Sequence, residues 1–243
     1  MKRRKLFTKL TSLMLACIMV LSTVFAGNVL AAEGVIEDVV VKTSVIPAGQ
    51  YPETITVTVS DPAVLEGLAP SDFSISGRAT SWLSSSLHNF TATIGDVAVD
   101  GNQMVLTFGN FPEKYVYVNN YTVTCNANAD LTFEVTKDTT TITPIADEFE
   151  KIRDTSGSCD GFDYNLFTPE DTSKPQPIVI AFHGYGDEEN LYHNKLAVAW
   201  ADPVNQAERP CYVLAPMLSG LTKYQSSSSR QAVYTHVYNK CRK

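Results

Sequence analysis

One stretch constrains the fold more than any other. Pro177-Ile-Val-Ile-Ala-Phe-His-Gly-Tyr-Gly186 runs apolar from Ile178 to Phe182 and then opens at once into a glycine-punctuated loop. The apolar run does not alternate, as expected of a strand covered on both faces in a parallel sheet. A second run, Cys211-Tyr-Val-Leu-Ala-Pro216, follows about thirty residues later. Between them, Glu188 to Trp200 is compatible with a helix, and Phe162-Asp-Tyr-Asn-Leu-Phe-Thr-Pro169 supplies an earlier strand. A last helix is expected from about Ser229, with Val233, Val237 and Cys241 on one face. Ser228 and Gln231 have the spacing of a capping box at its start. Strands alternating with helices over short loops predict an α/β arrangement for 146–243.

The preceding residues have a different texture. Ile55-Thr-Val-Thr-Val-Ser60 alternates apolar and polar, the pattern of a strand with one buried face. Phe73–Ser76, Ala92–Ile94, Met104–Phe108, Tyr115–Val118, Tyr121–Thr124 and Leu131–Val135 continue it. Asp61-Pro62, Gly77, Asp100-Gly-Asn102, Asn110-Phe-Pro112 and Asn119-Asn120 punctuate it as turns. Short strands at this spacing predict an all-β, immunoglobulin-like sandwich over 32–145, with Thr139–Pro144 followed by Asp147–Glu150 as its last strand and linker. The Cys…Trp…Cys series of antibody domains is absent, Cys125 and Trp82 being the relevant residues, so the expectation is one of architecture. The aromatics Phe108, Tyr115, Tyr117 and Tyr121 fall at strand periodicity and read as core, not as a sugar-stacking platform.

The chain begins with Lys2, Arg3, Arg4, Lys5 and Lys9, an apolar run from Leu10 to about Ala26, and small residues around Val29-Leu30-Ala31. This order reads as a cleaved signal peptide over 1–31 and hence a secreted, extracellular protein. The alternatives are a retained anchor, or a lipoprotein processed at Met14-Leu15-Ala16-Cys17. Of 19 Lys and Arg, five lie in the leader, leaving 14 against 26 Asp and Glu, a mature charge of about −12. Such a surface repels phosphate backbones and anionic lipid, which argues against nucleic-acid partners and against membrane association beyond export.

Four cysteines remain after processing (Cys125, Cys159, Cys211 and Cys241), and three complete pairings are open to them. No Cys/His group has metal-ligand spacing, and His88, His183, His193 and His236 are scattered, so neither metal nor cofactor is expected. Asn89-Phe-Thr91 and Asn120-Tyr-Thr122 match the glycosylation sequon by chance in a chain with a bacterial-style leader.

Tyr164-Asn-Leu-Phe-Thr-Pro169, His183-Gly-Tyr-Gly186, Trp200-Ala-Asp-Pro-Val-Asn-Gln-Ala207 and Pro210–Pro216, in that order, resemble secreted esterases of the α/β-hydrolase fold. Within these the resemblance is to the polyhydroxybutyrate-depolymerase and feruloyl-esterase-like branch, some members of which carry an N-terminal immunoglobulin-like domain. It covers about Glu148 to Lys243 and implies the N-terminal half of that fold, an α/β-hydrolase domain with an incomplete parallel sheet. It also implies an ester substrate of plant cell-wall or polyester type. In such enzymes a backbone N–H from the loop after the third strand helps to hold the oxyanion of the tetrahedral intermediate. The resemblance assigns that loop to His183, Gly184, Tyr185 and Gly186. Tyr185 is then the backbone donor, the glycines shape the turn, and His183 holds the loop without acting as a base.

No Gly-x-Ser-x-Gly elbow occurs in the 243 residues. Gly157-Ser-Cys-Asp-Gly161 has the Gly-x-Cys-x-Gly form but precedes the oxyanion strand and reads as a hairpin loop. Ser226 to Ser229 reads as a polar turn, and His236 lacks an upstream partner. The expectation is therefore a carboxylic-ester hydrolase represented by its N-terminal part, stopping before the nucleophile elbow, with no catalytic triad and no activity of its own. The alternative is a non-catalytic secreted module whose β-sandwich binds polysaccharide, a partner or itself, beside a vestigial hydrolase segment.

Overall fold

The computed structural model describes residues 35–81, 84–112, 120–154, 162–183 and 191–217. The leader, the strand expected at Tyr115–Val118, Gly157–Gly161, and the helix expected from Ser229 lie outside the described residues. The described residues all fall in one compact unit.

Eight strands make the first sheet: β1 (Ile36–Ile46), β2 (Gly49–Val59), β3 (Phe73–Ser81), β4 (Ser84–Asp100), β5 (Gln103–Asn110), β6 (Tyr121–Cys125), β7 (Phe133–Val135) and β8 (Thr140–Ile142). Their order is β7-β6-β3-β4-β5-β2-β1-β8, antiparallel throughout except where β8 runs parallel to β1. Alternation places Ile55, Val57 and Val59 of β2, Met104 and Leu106 of β5, and Tyr121 and Val123 of β6 in the interior. Phe108 packs against the same core.

This corrects the expected immunoglobulin-like sandwich. A sandwich has two separate sheets, whereas here the 17-residue β4 belongs to both halves. Its first part pairs with β3, from Ser81↔Ser84 to Ile75↔Ala92. Its second part pairs with β5, from Thr93↔Asn110 to Asp100↔Gln103. Register breaks on both sides of Ile94 mark the bend between them. There Gly95 and Gly109 face each other so closely that a Cβ on Gly95 would lie 2.9 Å from the Gly109 Cα. Glycine at a bulge permits this approach and lets the sheet turn. One core cluster then contains Ile75 and Phe90 from one half and Ile55 and Leu106 from the other. The sheet has curled over its own apolar face. Alternation along single strands is the same in a sandwich and in a curled sheet, which is why the local pattern misled.

The second sheet, in order β11-β12-β10-β9, consists of β9 (Glu150–Asp154), β10 (Phe162–Phe167), β11 (Ile178–Ile180) and β12 (Tyr212–Met217). Here too the expectation is corrected: the N-terminal half of an α/β-hydrolase with an incomplete parallel sheet is not what forms. The sheet is mixed, with β11 parallel to β12 and the β12/β10 and β10/β9 ladders antiparallel. The short connection from Asp154 to Phe162 cannot make a crossover, so it returns antiparallel. Arg153 closes that pair, donating to both carboxylate oxygens of Asp163 at 2.9 and 3.0 Å. Two short helices, α1 (Lys195–Ala201) and α2 (Pro203–Glu208), complete the described elements. Ala197 and Ala201 of α1 pack on Val213, Ala215, Phe167 and Ala181. The helix expected over Glu188–Trp200 thus begins later, after a 3-10 turn at Leu191–His193.

Candidate functional site

The apolar run that opens the sequence argument becomes β11, and His183 follows it, half-buried, at the point where the chain leaves the sheet. Gly184, Tyr185 and Gly186 lie outside the described residues. What the structure does define is the base on which that loop stands.

On the strand side, Ala181 is fully buried and its N–H donates to Leu214 O at 2.9 Å, extending the pairing of β11 with β12. On the helix side, Asn194 is 5 % exposed and caps α1, its Oδ1 accepting from Ala197 N at 3.1 Å. Its Nδ2 donates to Ala181 O at 3.0 Å. One buried amide therefore joins the end of the strand to the start of the helix. Gln206 does similar work at the other end of the helical segment. Its Nε2 donates to Trp200 O (2.8 Å) and Cys211 O (3.1 Å), and its Oε1 accepts from Cys211 N (3.1 Å).

The turn before Asn194 is held from the first sheet. Tyr192 OH donates to Asp147 Oδ1 at 3.0 Å. Asp147 is fixed in turn, its other oxygen accepting from Thr143 N and its own N–H donating to Thr143 O. The buried Thr143 hydroxyl meets that of Thr43 in β1 at 2.8 Å, and Gln50 Nε2 donates to both, at 2.8 and 3.0 Å. Gly49, at φ +124°, closes the β1–β2 hairpin in a conformation that side chains rarely adopt. The His193 ring lies against it, so near that a Cβ there would come within 3.0 Å of Cδ2. Val45, Ala146 and Val198 make the apolar centre of the joint, with Leu191 and Tyr192 packed on it.

Burial, the Asp147 charge and the hydrogen bond to Asp147 push the Tyr192 phenol up from its ordinary value near 10 to about 12. The neutral phenol is thus the form the fold prefers. Its stabilisation is fully present below the unfolded value near pH 10 and is lost as pH rises through about 12. Tyr192→Phe is expected to lower stability by about 1 kcal/mol at pH 7 to 9. The gap between wild type and variant should close above pH 10, read by thermal melts. In spectrophotometric titration the wild type should show one more late-ionising phenol than the variant.

The opposite face of the second sheet carries a cleft of about 630 Å³, floored by Tyr164, Leu166, Tyr212 and Leu214 under the loop of Thr172 to Gln176. At its rim Ser173 Oγ donates to Asp171 Oδ1 at 2.6 Å, which lowers the Asp171 carboxyl. A carboxylate held below its ordinary value is a poor base for a serine proton, and this pair lacks the imidazole that activates a serine nucleophile. Among the described residues no three His, Cys, Asp or Glu groups are placed to hold a metal. Cys125 and Cys211 are buried free thiols, while Cys159 and Cys241 lie outside the described residues.

Sequence reasoning named His183 but passed over Tyr192 and Asn194, took Asp147 only as linker and took Gln206 only as part of a longer tract. The available signal for Asn194 was an Asn standing directly before a helix.

No family model matches the sequence, and no curated protein matches it. Among solved structures, one described as the crystal structure of a thermostable esterase is similar, with a TM-score of 0.55 and 21% identity. The match covers 74% of this chain and 57% of that chain. The chain therefore spans little more than half the length of that esterase. The likeness is one of fold alone.

Proposed function

We propose that this chain carries the oxyanion side of a secreted carboxylic-ester hydrolase of esterase or depolymerase type, and that the attacking nucleophile lies outside these 243 residues. The observation that carries the proposal is the position of His183. It leaves the end of β11, parallel to β12, in a chain whose fold is similar to that of a thermostable esterase. A glycine-rich loop leaving a strand end can present backbone N–H groups to one point, the geometry that stabilises a developing oxyanion. Hydrolysis also needs an activated side-chain attacker. The sequence contains no Gly-x-Ser-x-Gly, and Ser173 with Asp171 does not replace it. The basic and apolar leader over 1–31 supports export, and an ester of plant cell-wall or polyester type is the substrate class we assign.

The 243-residue chain is expected to give no p-nitrophenyl acetate turnover above a heat-denatured control, and no adduct with an alkyl fluorophosphonate. A labelled Ser or Cys would overturn the placement of the nucleophile. The ester-hydrolase reading itself is tested on the coding DNA beyond Lys243. A strand followed by Gly-x-Ser-x-Gly, and turnover by the protein extended through it, is the expected result. No such segment in any frame removes the reading.

A further inference from the structure

The geometry points to Asn194 as a positioning residue for the strand end that delivers His183. It fixes the plane of the Ala181–Phe182 peptide, from which the chain departs towards His183. The assignment of a purpose to that departure rests on the ester-hydrolase reading above; the placement of the peptide does not.

Asn194 is buried and uses every hydrogen-bonding direction that bears on this point. Its backbone N–H donates to Leu191 O at 2.9 Å and its carbonyl accepts from Val198 N at 3.2 Å, which seats it between the turn and α1. Its side chain reaches in two directions, to Ala197 N and to Ala181 O. Ala181 is thereby gripped at both backbone groups, the N–H by Leu214 of β12 and the carbonyl by Asn194. A peptide unit is planar, so an oxygen held in place also fixes the direction of the following N–H, that of Phe182. His183 is the next residue.

The side-chain chemistry required is specific. Serine, aspartate and asparagine all cap helices well, because each offers an oxygen to the first-turn amides. Of the three, asparagine alone adds a donor long enough to reach a neighbouring strand. A residue serving only as a cap would therefore tolerate serine or aspartate. One that sets the Ala181–Phe182 plane would not.

The test is residue-resolved amide hydrogen exchange on the full 243-residue chain. In Asn194→Ser, the Ala197 and Val198 amides should keep their wild-type protection, while the Phe182 and His183 amides exchange about tenfold faster. Asn194→Asp should speed the same two amides without loosening α1. Unchanged Phe182 and His183 exchange in both variants would overturn the proposal and leave Asn194 a helix cap. If neither variant folds, the wild type decides. Slow exchange of the Asn194 Nδ2 protons supports the bond to Ala181, and exchange at the rate of an exposed amide sinks it. None of these readings involves ester turnover, so failure of the hydrolase reading would leave them standing.

Discussion

Phe111→Ala is expected to cost about 4 kcal/mol and to lower the melting temperature by about 8 to 16 °C in a unit of this size. Phe111 is 2 % exposed and lies just beyond β5, where the two halves of the curled sheet close on each other. Its ring meets Tyr51 at 5.9 Å, Phe90 at 5.3 Å, Phe108 at 5.6 Å and Tyr121 at 6.3 Å, all edge-on. Those four rings stand on β2, β4, β5 and β6; β4, β5 and β2 are neighbours in the sheet and the curl brings β6 against them, so the cavity left by alanine would open where β6 closes on the rest. The lost transfer energy and the cavity term act together there, and the edge-to-face contacts add to both. Tyr51 OH also exchanges 3.3 Å hydrogen bonds with the Phe111 backbone, which alanine retains. Phe111→Leu keeps most of the volume and should cost about 1.5 kcal/mol. Calorimetric melts of the two variants against wild type provide the check. A loss below about 1 kcal/mol for alanine would mean that the halves do not share one core.

Parts of this architecture stood plainly in the sequence and parts did not. Ile55 to Ser60 was legible because alternation there is strict and nothing interrupts it. β4 was not, since only Ala92-Thr-Ile94 alternates clearly, while its exposed stretch from Ser86 to Asn89 resembles a loop and Gly95 resembles a break. Bulge glycines that turn a sheet and glycines that end a strand look alike until the partner strand is known. β1 was missed for another reason. Its buried register runs Val41, Thr43, Val45, and Thr43 is a polar residue that meets Thr143, a hundred residues away. The mixed second sheet was within reach of sequence reasoning, because a connection as short as Asp154 to Phe162 forbids a parallel crossover. Gly157–Gly161 reads as a hairpin loop, but the charged stretch before it does not read as a strand. At the candidate site, His183 could be found from the strand-to-glycine transition. Asn194 could be found as a cap, whereas its bond to Ala181, thirteen residues upstream, depends on where α1 lands on the sheet.

Val45→Asp is expected to cost about 4 kcal/mol and to change the manner of unfolding as well as its midpoint. Val45, at 1 % exposure, is the contribution of β1 to the apolar joint with Ala146 and Val198. Asp147, next in sequence to Ala146, is itself a carboxylate and would repel a second one. The introduced carboxyl would have to stay uncompensated, take up a proton, or push the joint open. Opening is the cheapest of these, since the curled sheet keeps its own core around Leu106 and the second sheet keeps its cluster around Val213. The wild type, whose described residues form one compact unit, should melt in a single transition. The variant should melt in two, with the second sheet first, because its cluster is the smaller. Val198→Asp attacks the same joint from α1 and leaves β1 untouched, so it should split the transition in the same way. That pairing separates loss of the joint from damage to the first sheet. Two variants with one lowered but undivided transition would show that the sheets are coupled by the hydrogen-bonded network that runs from Thr43, Gln50 and Thr143 through Asp147 to Tyr192, and not by the apolar contact. A melt unchanged from wild type in both would remove the joint from the account altogether.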